Sequence, residues 1–237
     1  MIKYINTLKA YLLNFTIICL LISNCLADDL IEHKIELLEE YLSSVNNISF
    51  TFQQTTNDSS IKGWMIIEKP NNFRIEYEEP EDLIIIGNND YLIIYNANDD
   101  LITHLENKGP WNILTNAQIN LSNDIDDKNI NGFVAEIKEI EMKDGKHLFY
   151  KITMEHDKNI NFEPIIIHVS TNPTQILGWA IYGEDKTHVR ITNIIEINKK
   201  KINKEIFKLT KQERASGNVW KGPFDKKAIE RLPNYYR

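Results

Sequence analysis

The spacing of apolar positions changes period early in this chain. From Asp29 to Val45 they recur at steps of four and three, as Ile31, Ile35, Leu38, Leu42 and Val45. That spacing lays one stripe along a helix, and Leu30, Leu37 and Tyr41 widen it. Asp29 with Glu32 three residues on forms a capping pair at its start. From Ile48 the period drops to two, with Ile48, Phe50 and Phe52 alternating with Ser49, Thr51 and Gln53, as on a half-buried strand. Further strands follow at hairpin spacing, KGWMIIEK, FRIEY, LIIIG, YLIIY and LITHLE, punctuated by NDSS, Pro70, Pro80, NND and NANDD. A helical patch from Pro110 to Leu121 interrupts them, with Pro at a first-turn position and Trp111, Leu114 and Gln118 on one side. After the polar run SNDIDDKN, strands resume as GFVAEIKEIE, HLFYKITMEH, EPIIIHVS, ILGWAIYG and HVRITNIIEI, and EIFKL reads as a last one. About ten or eleven strands in hairpin order, with a leading and a middle helix, make one antiparallel α+β domain.

Several strands are more apolar than one buried face requires. LIIIG, YLIIY, PIIIHV and ITNIIEI carry almost no polar alternation, so they are expected to be covered on both faces. A sandwich would do this. So would a curved sheet with helices laid in its mouth, which leaves an apolar hollow of the kind that holds ligands. The stretch KPNNFRIEYEEP focuses the question, because Phe73, Ile75 and Tyr77 point one way on a strand while Arg74, Glu76 and Glu78 point the other. The charged row is expected to be a solvated strand face. Its acids have no base, nucleophile or oxyanion donor beside them.

Composition narrows the classes. Lys3 and Lys9 precede the apolar run AYLLNFTIICLLI, which ends in SNCLADD with Cys25 and Ala27 at the −3 and −1 positions of a cut. This predicts a secretory signal peptide over residues 1–27 and export. Its removal takes away two lysines and moves the formal charge from −7 to −9. An acidic exported chain has no cationic stripe with which to displace counterions, so no nucleic-acid partner is expected. Both cysteines, Cys19 and Cys25, lie in the leader, which excludes disulfides and thiolate metal sites from the domain expected over residues 28–214. ISNC is a loose lipoprotein box, so acylation of Cys25 is the alternative to cleavage after Ala27. His33, His104, His147, His156, His168 and His188 stand at no metal-ligand spacing, so neither a metal nor another cofactor is expected. There is no G-x-S-x-G, phosphate loop or H-E-x-x-H, and the chain is not expected to be an enzyme. Trp64, Trp111 and Trp179 are open, from the residues alone, to lining a hollow or filling core. NKKKINK is a basic turn, and residues 215–237 form a basic, aromatic C-terminal extension.

Behind the leading helix come ISFTFQQ, GWMIIEKPNNFRIEY, EDLIIIGNNDYLIIYN, GPWNIL and IIIHVSTNPTQILGWAIYGEDKTHVRITN, then EIFKL. In this order they resemble the LolA family of periplasmic outer-membrane lipoprotein carriers, from about Asp28 to Arg214. The resemblance implies an unclosed antiparallel β-barrel of about eleven strands with a helical lid over an apolar cavity. It implies a periplasmic monomer whose cargo is acylated lipoproteins, received from an inner-membrane LolCDE-type ABC exporter and passed to an outer-membrane LolB-type receptor. It implies a lipid-binding lining of Phe52, Trp64, Ile66, Phe73, Ile75 and Tyr77, continued by Ile85 and Ile93, with Trp111, Ile113 and Leu114 in the lid. In the family the residue before the motif proline is typically Arg and bonds to lid carbonyls. Here it is Lys69, so the lid latch is expected at Lys69 without the planar fork of a guanidinium. Arg74 is close by but falls on the charged row. A membrane-anchored acceptor of similar fold would need acylation at Cys25. A lipoprotein-sensing regulator of related fold would need a second domain larger than the tail after Arg214.

Overall fold

The computed structural model describes residues 29–88, 91–107, 109, 111–124, 131–154, 163–183, 185–198 and 202–210. The leader expected over residues 1–27, with Cys25, and the extension over 215–237 lie outside the described residues. The chain divides into two compact units, Met1–Leu38 and Glu39–Arg237. The described part of the first, residues 29–38, is helical, with Ile35 and Leu38 buried. This helix, α1, runs over residues 29–44, so its last turns belong to the second unit.

The second unit is built on one sheet. Its strands are β1 (Asn47–Thr56), β2 (Ser59–Glu68), β3 (Asn72–Tyr77), β4 (Leu83–Gly87), β5 (Tyr91–Asn96), β6 (Leu101–Glu106), β7 (Leu121–Ser122), β8 (Gly132–Met142), β9 (Gly145–Met154), β10 (Ile165–Thr171), β11 (Thr174–Tyr182) and β12 (Lys186–Ile197). Their order is β6-β5-β4-β3-β2-β1-β12-β11-β10-β9-β8-β7, so the sheet is open, with β6 and β7 at its edges. Every neighbouring pair is antiparallel except β7 and β8. The expected unclosed antiparallel barrel is thus a twelve-stranded, mostly antiparallel open sheet.

Two expected elements differ. The middle helix is a single turn, α2 (Asn112–Thr115), after which Asn116 is already extended at ψ 147°. Trp111 offers no side-chain cap, and the turn has no acid at its start or base at its end to favour extension. EIFKL is not a strand either: Lys204–Phe207 is a 3-10 turn capped by Asn203, whose side chain accepts from Glu205 N.

That turn explains why LIIIG and YLIIY are apolar on both sides, whereas the outer face of PIIIHV, with Ile166, is not covered by it. Ile202, Ile206 and Phe207 pack on Trp64, Ile66, Ile84, Ile86 and Tyr95, forming a buried layer on the outer face of β2 to β5. Arg74 and Glu76 belong to this layer and are 2% and 3% exposed, which corrects the expected solvated row. Arg74 Nε donates to Glu76 Oε1 at 2.5 Å, and its Nη1 donates to the Ile206 and Lys208 carbonyls at 3.2 and 3.3 Å. The returning segment leaves main-chain carbonyls over the sheet, and a buried guanidinium satisfies them while its charge is met by a carboxylate. Glu78, the third member of the row, is half-buried.

Candidate functional site: an apolar hollow on the inner face

The opposite face of the same strands is differently furnished. Phe52 stands directly across from Gly63, and Phe73 from Gly87. A Cβ at Gly63 would lie 2.4 Å from the Phe52 ring, and one at Gly87 2.0 Å from the Phe73 ring. The two glycines therefore leave the space in which the phenyl rings lie. The Phe52 ring meets Tyr77 edge-on at 5.5 Å, and the Tyr77 hydroxyl donates to Gln54 Oε1 at 2.8 Å. Burial pushes the Tyr77 phenol up to about 12, so it remains neutral at physiological pH.

These residues wall a cavity of about 300 Å³. Phe52, Phe73, Ile75, Tyr77 and Ile85 line it, with Met65, Leu92, Ile94 and Leu105 from the same half of the sheet. Ile165, Trp179, Ile181 and Val189 close it from the other half, and Trp111 and Leu114 reach it from the connection between β6 and β7. Among the described residues, its only polar lining is Gln54, Thr187, the Tyr77 hydroxyl and the Trp111 indole N–H, which donates to Asn107 Oδ1 at 3.0 Å.

Eleven side chains are expected from the sequence at such a hollow. Seven line it here: Phe52, Phe73, Ile75, Tyr77, Ile85, Trp111 and Leu114. Trp64, Ile66 and Ile93 do not. They sit on or against the outer layer, because each is one residue out of phase with the inner row of its strand. Ile113 is fully buried but is not part of the lining, unlike Leu114 next to it on α2. Met65, Leu92, Ile94, Leu105, Ile165, Ile181 and Val189 were missed. The register that finds them was unreadable in the sequence, although Ile94 is directly opposite Ile85, and Met65 directly opposite Ile75. Trp179, left open between lining and core, lines the hollow.

Lys69 sits at the side of this cavity. A second void of about 20 Å³ shares Leu114 and Trp179 with the first and is bounded by Tyr41, Leu42, Val45 and Lys69. Lys69 Nζ donates to the Leu42 carbonyl at 2.5 Å. Asn198 Nδ2 donates to the Ser44 carbonyl at 2.7 Å. Two of the carbonyls left open at the end of α1 are thereby satisfied. Lys69 N also donates to the Asn46 carbonyl, and Asn71 N to that of Thr115 at the end of α2, each at 2.8 Å. The turn Lys69–Asn71 thus joins the C-terminal ends of both helices. Burial pulls the Lys69 ammonium down to about 8. Among the described residues no group of three His, Asp or Glu is placed to hold a metal.

Residues 43–210, well over half of the chain, match the family model of the outer membrane lipoprotein carrier protein LolA. The chain belongs to the LolA family. Among curated proteins, an uncharacterized protein of Rickettsia prowazekii (strain Madrid E) is 26% identical over 95 residues, 40% of this chain. The match spans 45%, about half, of that relative's length. Among solved structures, an uncharacterized conserved protein from Thermus thermophilus is 9% identical, with 76% of this chain and 94% of that one covered and a TM-score of 0.46. A LolA superfamily protein from Nitrosomonas europaea is 10% identical, covers 74% and 97%, and has a TM-score of 0.38. A putative outer membrane lipoprotein-sorting protein domain from Vibrio parahaemolyticus is 7% identical, covers 72% and 94%, and has a TM-score of 0.41. Among the described residues, no helix of this LolA-family chain is long and apolar enough to cross a membrane.

Proposed function

We propose that this chain is a periplasmic carrier that takes the acyl chains of lipoproteins into the inner-face hollow and moves them from the inner to the outer membrane. The observation that carries this reading is the hollow itself, about 300 Å³ walled by aromatic and branched aliphatic side chains with no charged group among them. Each methylene moved there from water contributes about 0.8 kcal/mol. The volume is at the small end of ligand cavities, about 300–1,000 Å³. A full acyl load therefore requires the wall carrying Trp111 and Leu114 to move. The Lys69 contact with the end of α1 is a latch for such a movement, since one hydrogen bond to a main-chain carbonyl opens at modest expense. An inner-membrane LolCDE-type exporter would load the carrier, and an outer-membrane LolB-type receptor would unload it by offering the chain a deeper apolar site.

The test is retention of a triacylated lipopeptide against the same peptide without its acyl chains, followed by gel filtration. The wild type is expected to retain only the acylated form. Phe73→Glu should weaken retention at least tenfold with an unchanged melting temperature. Equal retention of both peptides, or a Phe73→Glu variant that binds normally, would defeat the reading. A mature species found in the membrane fraction with Cys25 acylated would replace it with an anchored acceptor.

A further inference from the structure

The face opposite the hollow carries a second and larger concavity, of about 440 Å³, over β10, β11 and β12. Its floor is bare at Gly178. A Cβ there would lie 2.1 Å from the Val189 carbonyl oxygen, so the close approach of β11 and β12 excludes any side chain. One wall is Phe149 stacked on His168 at 4.2 Å and 12°. The other is Tyr182 set edge-on to His188 at 5.2 Å. Arg190 stands at the end, its Nη2 donating to Gln53 Oε1 at 3.0 Å, while Gln53 Nε2 donates to Ser60 Oγ at 2.7 Å. The His168 ring is held from behind. Its Nε2 lies 2.9 Å from Nδ1 of His147, whose own Nε2 is 3.2 Å from an Asp144 oxygen.

Charge distinguishes this face from the rest of the protein. Directly across from groove residues in the register stand Lys138 opposite Phe149, Lys151 opposite Ile166, Lys186 opposite Tyr182 and Lys62 opposite Gln53. Opposed residues of an antiparallel pair share a face. With Arg190, these are five exposed cations, and the acids beside them are Glu136, opposite Lys151, and the half-buried Glu78, whose N–H donates to the Lys62 carbonyl. The chain as a whole carries −7. A cationic ring around a recessed apolar floor focuses field on whatever anion enters.

We propose that this groove is a second binding site, for an extended acidic segment of a protein partner. Its carboxylates would meet Arg190 and the ring of lysines, and an aromatic or branched side chain would lie on the bare floor at Gly178. From β9 across to β2 there are five strand spacings, about 24 Å in all, which an extended chain of about seven residues spans. The recess favours a narrow segment over a flat bilayer, which would touch the rim lysines but not the floor. This inference is independent of what the inner hollow carries.

The experiment is fluorescence anisotropy of a fluorescein-labelled heptapeptide, EELFLEE, titrated with the full chain at low salt. Saturable binding is expected, weakening as salt rises, with no binding of the labelled KKLFLKK control. Arg190→Glu and Lys62→Glu, both at exposed positions, should each weaken it at least tenfold without altering the melting temperature or lipopeptide retention. Binding insensitive to both substitutions, or none at all, would overturn the proposal. Arg190-dependent binding to vesicles of dioleoylphosphatidylglycerol with no binding of the peptide would also overturn it, in favour of a membrane surface.

Discussion

The ammonium of Lys69 stands where a helix ends and water is scarce, and these two conditions pull on its proton in opposite directions. The Leu42 carbonyl accepts a hydrogen bond from it at 2.5 Å and lies at the negative end of α1, which favours the charged form. Burial favours the neutral amine and prevails, bringing the group from 10.5 to about 8. Between those values the unfolded chain holds more protons at this site than the folded one. The contribution of Lys69 to stability therefore rises with pH across that window and is constant below it. The expected outcome is that the urea midpoint of the wild type gains on that of Lys69→Met between about pH 7.5 and pH 9.5. A gap between the two proteins that stays level over this range would show that Lys69 titrates as a free lysine, and the latch proposed there would lose its buried character.

At the scale of elements, the main chain of the segment from Ile202 to Thr210 is held to β3 by Arg74, beside the packing of Ile202, Ile206 and Phe207 and the Lys204–Glu68 ion pair. Arg74 serves two of its carbonyls and the Glu76 carboxylate in a layer with almost no solvent. Arg74→Met leaves a buried carboxylate without its cation and is expected to reduce stability by about 3–5 kcal/mol. Arg74→Met combined with Glu76→Leu should be markedly milder than the single change, because no charge is then left buried. Equal losses in urea unfolding would show that the carbonyl contacts, not the ion pair, hold the segment. This element also shows where the sequence stopped being informative. The strand FRIEY was readable from its alternation, but a charged row looks wet until the segment that covers it is known, and that partner arrives about 130 residues later. The inner assignments of Phe73, Ile75 and Tyr77 followed from the same alternation. LIIIG and YLIIY, apolar at almost every position, offered no parity to read, so Ile85 and Ile93 were both assigned to the hollow although only Ile85 lines it. The middle helix is shorter than its apolar spacing suggests for a related reason. Apolar spacing from Trp111 to Leu114 suits a helix, but nothing in its capping sustains more than one turn.

Across the half of the sheet from β2 to β5, the two faces are packed differently. The outer layer of β2 to β5 is filled, with Ile84 and Ile86 fully buried against Trp64, Tyr95 and the returning segment. The inner face is left unfilled by about 300 Å³, and Ile85 between them is only partly buried. Consecutive residues of β4 should therefore fail in different ways. Ile86→Asn removes core packing and strands an amide in an apolar layer. It should destabilise by at least about 2–5 kcal/mol, the range for an isoleucine truncated in a core. Ile85→Asn places the same amide at a cavity where atoms are already missing, so it should change stability by about 1 kcal/mol or less. It should nonetheless weaken lipopeptide retention at least tenfold, because a polar group inside the hollow needs water that an acyl chain would displace. Thermal melting and retention measured on both variants read the two faces separately. If both variants unfold, the hollow is ordinary core with a packing gap. If neither loses the lipopeptide, the acyl site lies elsewhere. Loss of folding at Ile86 with loss of binding alone at Ile85 is the outcome expected if the outer side holds the sheet together and the inner side takes the acyl chain, as proposed.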